Sequence, residues 1–414
     1  MRILMLTQFY PPILGGLERY VKDLSEELVI RGHSVSVVTQ WQAGWLENLP
    51  EYEEKRGVRI YRIKGSIHRL NNLIYIDSRR NYAPPFPDPE MSFAIRKIIQ
   101  EEKPEIVHAH NWLIHSFLPL KNWSKAKLVV TFHDYHLQCA KWIMIRNDQI
   151  CTGPQFNKCL SCMIANYGSL KGILTVLGHR ATQKLYANSV DMFIPVSQAV
   201  AEGNHLPQNQ LPYKVISNFI PDKYPQEQEI EDYLEQLPQK EFMLFVGAFS
   251  PLKGFDILLE AYRIIETDMP LVFIGYELNE YALAQYDVPE NVYFLKHWPN
   301  PAVMEAWKRS AIGIVPSTGP DSSPTVVMEA MYGETPVIGT QVGGIPDIII
   351  DGETGILIPH NNIEALRKAI QVLLDNPERR KQMGKRGKQH VEKFQASFVV
   401  GEIEAIYHQL KINN

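Results

Sequence analysis

The stretch "RILMLTQFYPPILGGLERYVKDLSEELVIRGHSVSVVTQ", residues 2–40, decides the fold. It opens with "RILMLTQF", a short apolar run that reads as a buried strand. "LERYVKDLSEELVIRG" then spaces Leu17, Tyr20, Val21, Leu24 and Leu28 along one helical face, and Gly32 stands where a helix stops. "SVSVVTQ" is the next strand. Strand, helix and strand in repetition predict a parallel sheet covered on both faces by helices.

The rhythm continues through "EIVHAH", "KLVVTFHD" and "DMFIPVS". It breaks over residues 203–240, where prolines and polar residues dominate. It restarts with "EFMLFVGAF", the helix "GFDILLEAYRII" and the strands "PLVFIGY", "NVYFLKHW", "IGIVPST" and "TPVIGTQ". A chain of 414 residues exceeds one ordinary core, so two α/β domains are expected, 1–220 and 221–395, with the boundary near Asn218–Lys223. The segment "FVVGEIEAIYHQLK" has helical spacing, and a C-terminal helix at about 396–414 could pack back on the first domain. Two doubly wound, Rossmann-like units facing each other would form a cleft, with ligands beyond the carboxyl ends of the strands.

The hydrophobic fraction of 45% and charged fraction of 21% are those of a globular protein, and a net charge of −4 gives no global reason to expect nucleic acid. Segment 55–80 is a local exception. It carries Lys55, Arg56, Arg59, Arg62, Lys64, Arg69, Arg79 and Arg80 against Asp77. That is either a solvated face or a docking patch for anionic lipid or a phosphorylated substrate, at the inner face of a membrane. The apolar run at the N-terminus is too short for a signal peptide, and no window approaches 18 uninterrupted apolar residues. A cytoplasmic protein with reduced thiols is therefore expected.

Three loops invite chemistry. Gly15 and Gly16 precede a helix, where adjacent glycines admit close approach and free N–H groups favour phosphate; the plain alternative is a turn. Lys253 sits at the mouth of the helix starting near Gly254, positioned to hold a diphosphate or to be a surface lysine. The segment "PSTGPDSSPTVVMEAMYGETPVI", residues 316–338, places Asp321 before a helix and Glu329 within it. Asp321 fits an N-cap. Glu329, among Val326, Val327, Met328, Ala330 and Met331, needs a specific partner, and paired ribose hydroxyls would suit it.

"TFHDYHLQC", residues 131–139, adds His133, Asp134, His136 and Cys139. Cys139, Cys151, Cys159 and Cys162 fall within 24 positions, and the last two have the spacing of a zinc knuckle. A single structural zinc ion is the first reading. An iron–sulfur cluster, free thiols or a disulfide remain open, and His136 receives no role.

Taken together, "GGLE", "RGHSVSVVT", "HAHN", "TFHD", "PVS", "ISNFIP", "VGAFSPLKGFDILLEA" and "EAMYGETPVIGTQVGGIPDIIIDGETGILIP" resemble family 4 glycosyltransferases from residue 1 to about 400. The resemblance implies the two-domain GT-B fold and retaining transfer of a sugar, without a catalytic metal. The donor would be a nucleotide sugar, UDP- or GDP-linked first. The acceptor would be a hydroxyl on a glycan or lipid-linked sugar, in glycan, polysaccharide or glycolipid biosynthesis.

It further implies that Gly15 and Gly16 approach the donor diphosphate, and that His133 contacts the transferred sugar. Lys253 would neutralise the diphosphate and Glu329 would hold the ribose. The backbone of Ser322, Ser323, Thr325 and Val326 would meet sugar and phosphates, and Asp321 would face the sugar. Some members carry a similar cysteine-rich segment after the His-Asp pair.

Two positions depart from the family pattern. Ala248 stands where arginine is usual, and a lost charge-assisted hydrogen bond of roughly 1.5–3 kcal/mol would cost on the order of 10- to 150-fold. Asp321 stands where glutamate is usual, one methylene shorter. These departures keep two alternatives open, a nucleotide-sugar-binding protein without turnover and a nucleotide-sugar epimerase on the same fold.

Overall fold

A computed structural model describes residues 1–13, 15–42, 49–66, 83–147, 149–224, 230–276 and 286–412. The chain forms two compact units, Met1–Ser217 together with Val400–Asn414, and Asn218–Val399.

In the first unit, β1 (Arg2–Thr7), β2 (Ser34–Gln40), β3 (Tyr52–Lys55), β4 (Val58–Ile63), β5 (Ile106–Ala109) and β6 (Lys127–Phe132) precede a short hairpin of β7 (Ile145–Arg146) and β8 (Gln149–Ile150). β9 (Met192–Pro195) completes a sheet ordered β3-β4-β2-β1-β5-β6-β9. All its pairings are parallel except β3 with β4. Ile3, Leu4, Met5 and Leu6 are buried on both sides of β1, as a central parallel strand requires. The helix Gly16–Ile30 lays Tyr20, Val21, Leu24 and Leu28 on the core, and Gly32 at φ 87° turns the chain into β2.

The second unit holds β10 (Met243–Ala248), β11 (Leu271–Tyr276), β12 (Val292–Lys296), β13 (Ile312–Val315), β14 (Val337–Thr340) and β15 (Gly355–Ile358). They are ordered β12-β11-β10-β13-β14-β15 and wholly parallel. In each unit the chain works outward from its first strand in one direction, then returns to add strands on the other side. The reversals lie between β1 and β5 and between β10 and β13, and a crevice opens at such points beyond the carboxyl ends of the strands.

Helix Ala396–Ile412 ends the described chain, and its residues from Val400 onward belong to the first unit. There Glu404 meets Arg31 at 3.3 Å and His33 at 2.8 Å, and Lys411 reaches Glu105 at 2.5 Å. Within the second unit, Ile220 exchanges backbone hydrogen bonds with Phe394 and Ala396, so the chain enters and leaves this unit side by side. No described helix is long and apolar enough to cross a membrane.

The basic segment is mostly neutralised where it is described. Arg56 pairs with Glu26 at 2.9 Å, Arg59 with Glu102 at 2.7 Å and Lys64 with Glu51 at 2.7 Å, while Arg62 is buried against Glu53. Arg69, Asp77, Arg79 and Arg80 lie outside the described residues. For the described cations, charge counted along the chain misses this pairing, because the acids come from other elements.

Gly254 has φ 71°, and a Cβ there would stand 1.9 Å from the Pro316 carbonyl oxygen, whereas one on Gly16 would meet nothing within 4 Å. Gly254→Ala should therefore lower stability by more than about 1 kcal/mol. Gly16→Ala should leave the urea midpoint unchanged, and an equal response of the two variants would contradict this packing.

Candidate active site

In the first unit, the switch point gathers side chains from β5, β6 and two helices. His108 and His110 stand two apart, so they share one face of the sheet's edge. The His108 ring is fully buried, with Nδ1 2.6 Å from the Tyr407 hydroxyl and Nε2 2.7 Å from the Thr131 hydroxyl. His110 Nδ1 is 3.2 Å from His133 Nε2, and the two rings stack at 5.5 Å. Tyr20 closes the group edge-on, its ring centroid 4.6 Å from that of His133.

Burial drives the His108 pKa down to about 3, with His133 adding to the effect. His110 is pushed well below the usual histidine range by burial and then by His108 and His133. Both rings are therefore neutral near pH 7, and the second fixes His133 Nε2 inward. Gly15 and Gly16 open the Gly16–Ile30 helix after β1. A Cβ on Gly15 would lie 2.3 Å from a Glu18 carboxylate oxygen, so that acid already sits over the helix mouth.

In the second unit, the loops leaving β10 and β13 interlock. Leu252 O accepts from the N–H groups of Thr318 and Gly319 at 3.1 and 3.2 Å, and the Thr318 hydroxyl donates to Pro251 O at 2.7 Å. This clasp brings Lys253 Nζ to 2.5 Å from Asp321 Oδ2, which the Ser317 hydroxyl also approaches at 3.3 Å. Behind Asp321, the Gly344 N–H donates to its carbonyl at 2.7 Å, and a Cβ on Gly343 would strike that carbonyl.

Asp321 is not an N-cap. Pro324 holds that position for the helix Thr325–Tyr332, with no side-chain capping bond. Its opening N–H groups are of the kind a helix leaves without internal partners. Thr325 and Glu329, four apart, share one face, and Glu329 is 4% exposed. Ser322 and Ser323 lead into this helix. Asn218 Nδ2 donates to Ser323 O at 2.8 Å, while the buried Asn218 Oδ1 has no partner among the described residues. The structure thus joins Lys253 to Asp321, and places Ser322, Ser323, Thr325, Val326 and Glu329 on the adjoining loop and helix start.

The cysteines do not form the expected metal site. Among the described residues, no three His, Cys, Asp or Glu side chains come together to hold a metal. All four cysteines are free thiols. Cys159 lines a hollow with Gln138 and His179, whereas Cys162, three residues further along the helix Phe156–Tyr167, lines another with Lys141 and Arg146. Cys139 is packed against the core with Cys151, and burial raises its pKa. His136 has a structural job: Nδ1 is 2.5 Å from Asp134 and Nε2 is 2.8 Å from the Tyr186 hydroxyl.

From sequence, Tyr20 is placed only on the core face of its helix and His108 and His110 only within the quoted "HAHN"; neither they nor Tyr407 receive a role in the site. The H-x-H alternation at the end of "EIVHAH" was the available signal for the two histidines, since period-two residues at a strand's carboxyl end share a face.

A family model described as Glycosyltransferase Family 4 matches residues 14–223, and one described as Glycosyl transferases group 1 matches 226–390. An uncharacterized glycosyltransferase of Methanocaldococcus jannaschii is 33% identical over 171 residues, 41% of this chain and 48% of that one. A second from the same organism is 26% identical over 399 residues, covering 91% of this chain and 90% of that one. The chain thus spans about half the length of the first of these relatives and most of the second. Sucrose-phosphate synthase from Thermosynechococcus elongatus superposes with a TM-score of 0.75 at 20% identity, covering 100% of this chain and 99% of that one. Anabaena HepE, solved in complex with UDP-glucose, gives 0.68 at 16% identity, covering 98% and 99%. At these identities the structural likeness speaks for the fold.

The neutral histidines set a pH dependence. Unfolded imidazoles gain protons below about pH 6.5, while folded His108 and His110 do not until far lower pH, so their contribution is whole above about 6.5 and is lost as pH falls toward 3. His108 should cost up to about 2 kcal/mol by about pH 5, and His110 acts in the same direction. The urea midpoint should drop between about pH 7.5 and 5, with a smaller drop in His108→Gln. Equal midpoints in the parent would show that these rings are not buried neutral.

Proposed function

Because the chain belongs to glycosyltransferase family 4 and has the GT-B fold, we propose that it transfers a sugar, with retention of anomeric configuration, from a nucleotide-diphosphate donor to a hydroxyl acceptor. The observation that carries this reading is the clasp of Lys253 and Asp321 at the carboxyl edge of the second sheet. It sets a fixed cation beside the start of the helix Thr325–Tyr332.

As the bond from sugar to phosphate breaks, negative charge grows on the departing diphosphate. Preorganised donors stabilise such charge most where they need not reorganise. The Lys253 ammonium has three N–H donors, of which Asp321 takes one, so it can meet phosphate without losing its anchor. The N–H groups opening the helix Thr325–Tyr332 add a second set of donors. Asp321 orients Lys253 and faces the sugar, and Glu329 accepts from the ribose hydroxyls. In the first unit, His133 contacts the transferred sugar with its ring held by His110. Gly15 and Gly16 let the diphosphate approach their backbone once Glu18 swings aside.

No residue here is assigned as a covalent nucleophile. The acceptor hydroxyl attacks on the face the diphosphate leaves, and the departing phosphate takes its proton. UDP- and GDP-hexoses are the first donors to try, with glycan or lipid-linked sugars as acceptors.

Without an acceptor, the enzyme should slowly hydrolyse its donor, and proton NMR should show the released sugar first in the donor's anomeric form. An inverted sugar would contradict retention. A changed sugar still joined to its nucleotide would mean an epimerase, and tight binding without turnover would mean a binding protein. Glu329→Ala and Lys253→Ala should each weaken donor affinity by at least about tenfold. His133→Ala should depress kcat with little change in Tm, and wild-type turnover in that variant would remove His133 from the site.

A further inference from the structure

The helix Ser169–Ser189 carries two apolar faces. Gly172, Val176, His179 and Tyr186 turn inward and are buried. On the opposite side run Leu170, Leu174, Leu177 and Leu185, which are 74, 52, 49 and 51% exposed. Their spacing of four, three and eight residues keeps them on one stripe. Phe156, on the neighbouring helix Phe156–Tyr167, is 42% exposed beside them, with the Arg180 guanidinium 4.9 Å from its ring centroid. Soluble surfaces seldom leave so many large apolar side chains in one row.

Cations flank this stripe. The segment holds Lys141, Arg146, Lys158, Lys171, Arg180 and Lys184, and Asp148 is its one acid between Tyr135 and Val190. Lys171 falls on one side of the leucines and Arg180 and Lys184 on the other, by their helical positions. Arg180 and Lys184 form no ion pair among the described residues. The cations of segment 55–66 differ, since most are neutralised by carboxylates.

From this geometry we infer that the outer face of the helix Ser169–Ser189 docks on an anionic lipid surface, with the leucines and Phe156 entering the headgroup boundary. Leucines and an aromatic ring between long basic side chains are what an interfacial helix needs. The stems of Lys and Arg extend along apolar surface while their charges reach the headgroups. A second copy of this chain is disfavoured, because a two-fold interface would set the same cations against each other. The inference does not depend on the glycosyl-transfer reading.

Flotation with vesicles distinguishes the possibilities. The protein should float with vesicles of about seven parts phosphatidylcholine to three of phosphatidylglycerol. It should float poorly with phosphatidylcholine alone, and binding should weaken in about 0.5 M NaCl. Leu174→Glu with Leu177→Glu should cut partitioning at least about tenfold. Arg180→Glu with Lys184→Glu should abolish the preference for anionic vesicles. All four side chains are exposed, and an unchanged Tm will confirm that both variants fold; Leu174→Ser with Leu177→Ser serves if the glutamates do not. Absence of flotation with either vesicle, or flotation unaltered in both variants, would overturn the inference. So would a homodimer, seen by sedimentation equilibrium, that the leucine substitutions dissociate.

Discussion

The contact between Gly254 and Pro316 is the constraint on which the second unit's site depends. Two loops leave adjacent parallel strands, β10 and β13, and approach until a Cβ could not fit between them. That closeness lets Leu252 O collect two N–H groups from the facing loop and delivers Lys253 to Asp321. A lysine on a flexible stem becomes a placed charge only when something holds its end. Here a carboxylate holds it, and Gly343 and Gly344 hold the backbone of that carboxylate in turn.

The first unit uses burial where the second uses charge. His108 and His110 are kept neutral by the core, and a neutral imidazole can hold a neighbour's ring without adding a charge beside it. One support comes from the far end of the chain, because the Tyr407 hydroxyl satisfies His108 across 299 residues. The C-terminal helix is therefore part of how the candidate sugar-contacting residue is held. A hydrogen bond to a buried ring is costly to leave unmade, which ties this helix to the site's integrity.

Much of the fold was legible because parallel α/β structure writes itself locally. The apolar run Ile3–Leu6 and the helical stripe Tyr20–Leu28 need no distant information, and the loops after β1, β10 and β13 follow from where strands end. Lys253 and Asp321 were legible as positions, but their contact was not, since it joins residues 68 apart. Asp321 looked like an N-cap because that motif is local, whereas Pro324 takes the cap. The cysteines misled for the same reason. Spacing says which thiols lie near in the chain, but side-chain direction on the helix Phe156–Tyr167 sends Cys159 and Cys162 to different hollows. In the described part of the basic segment, Glu26, Glu51, Glu53 and Glu102 reach the cations from other elements, a neutralisation that charge counted along the chain does not show.

The central claim is that the loops after β10 and β13 recognise a diphosphate. Calorimetric titration with a nucleoside diphosphate and the matching monophosphate, uridine and guanosine in turn, tests it most directly. For the base the protein accepts, the diphosphate should bind at least about tenfold tighter, and Lys253→Ala should close that gap while sparing the monophosphate. Equal affinity for both nucleotides, or a gap that survives Lys253→Ala, would contradict the account.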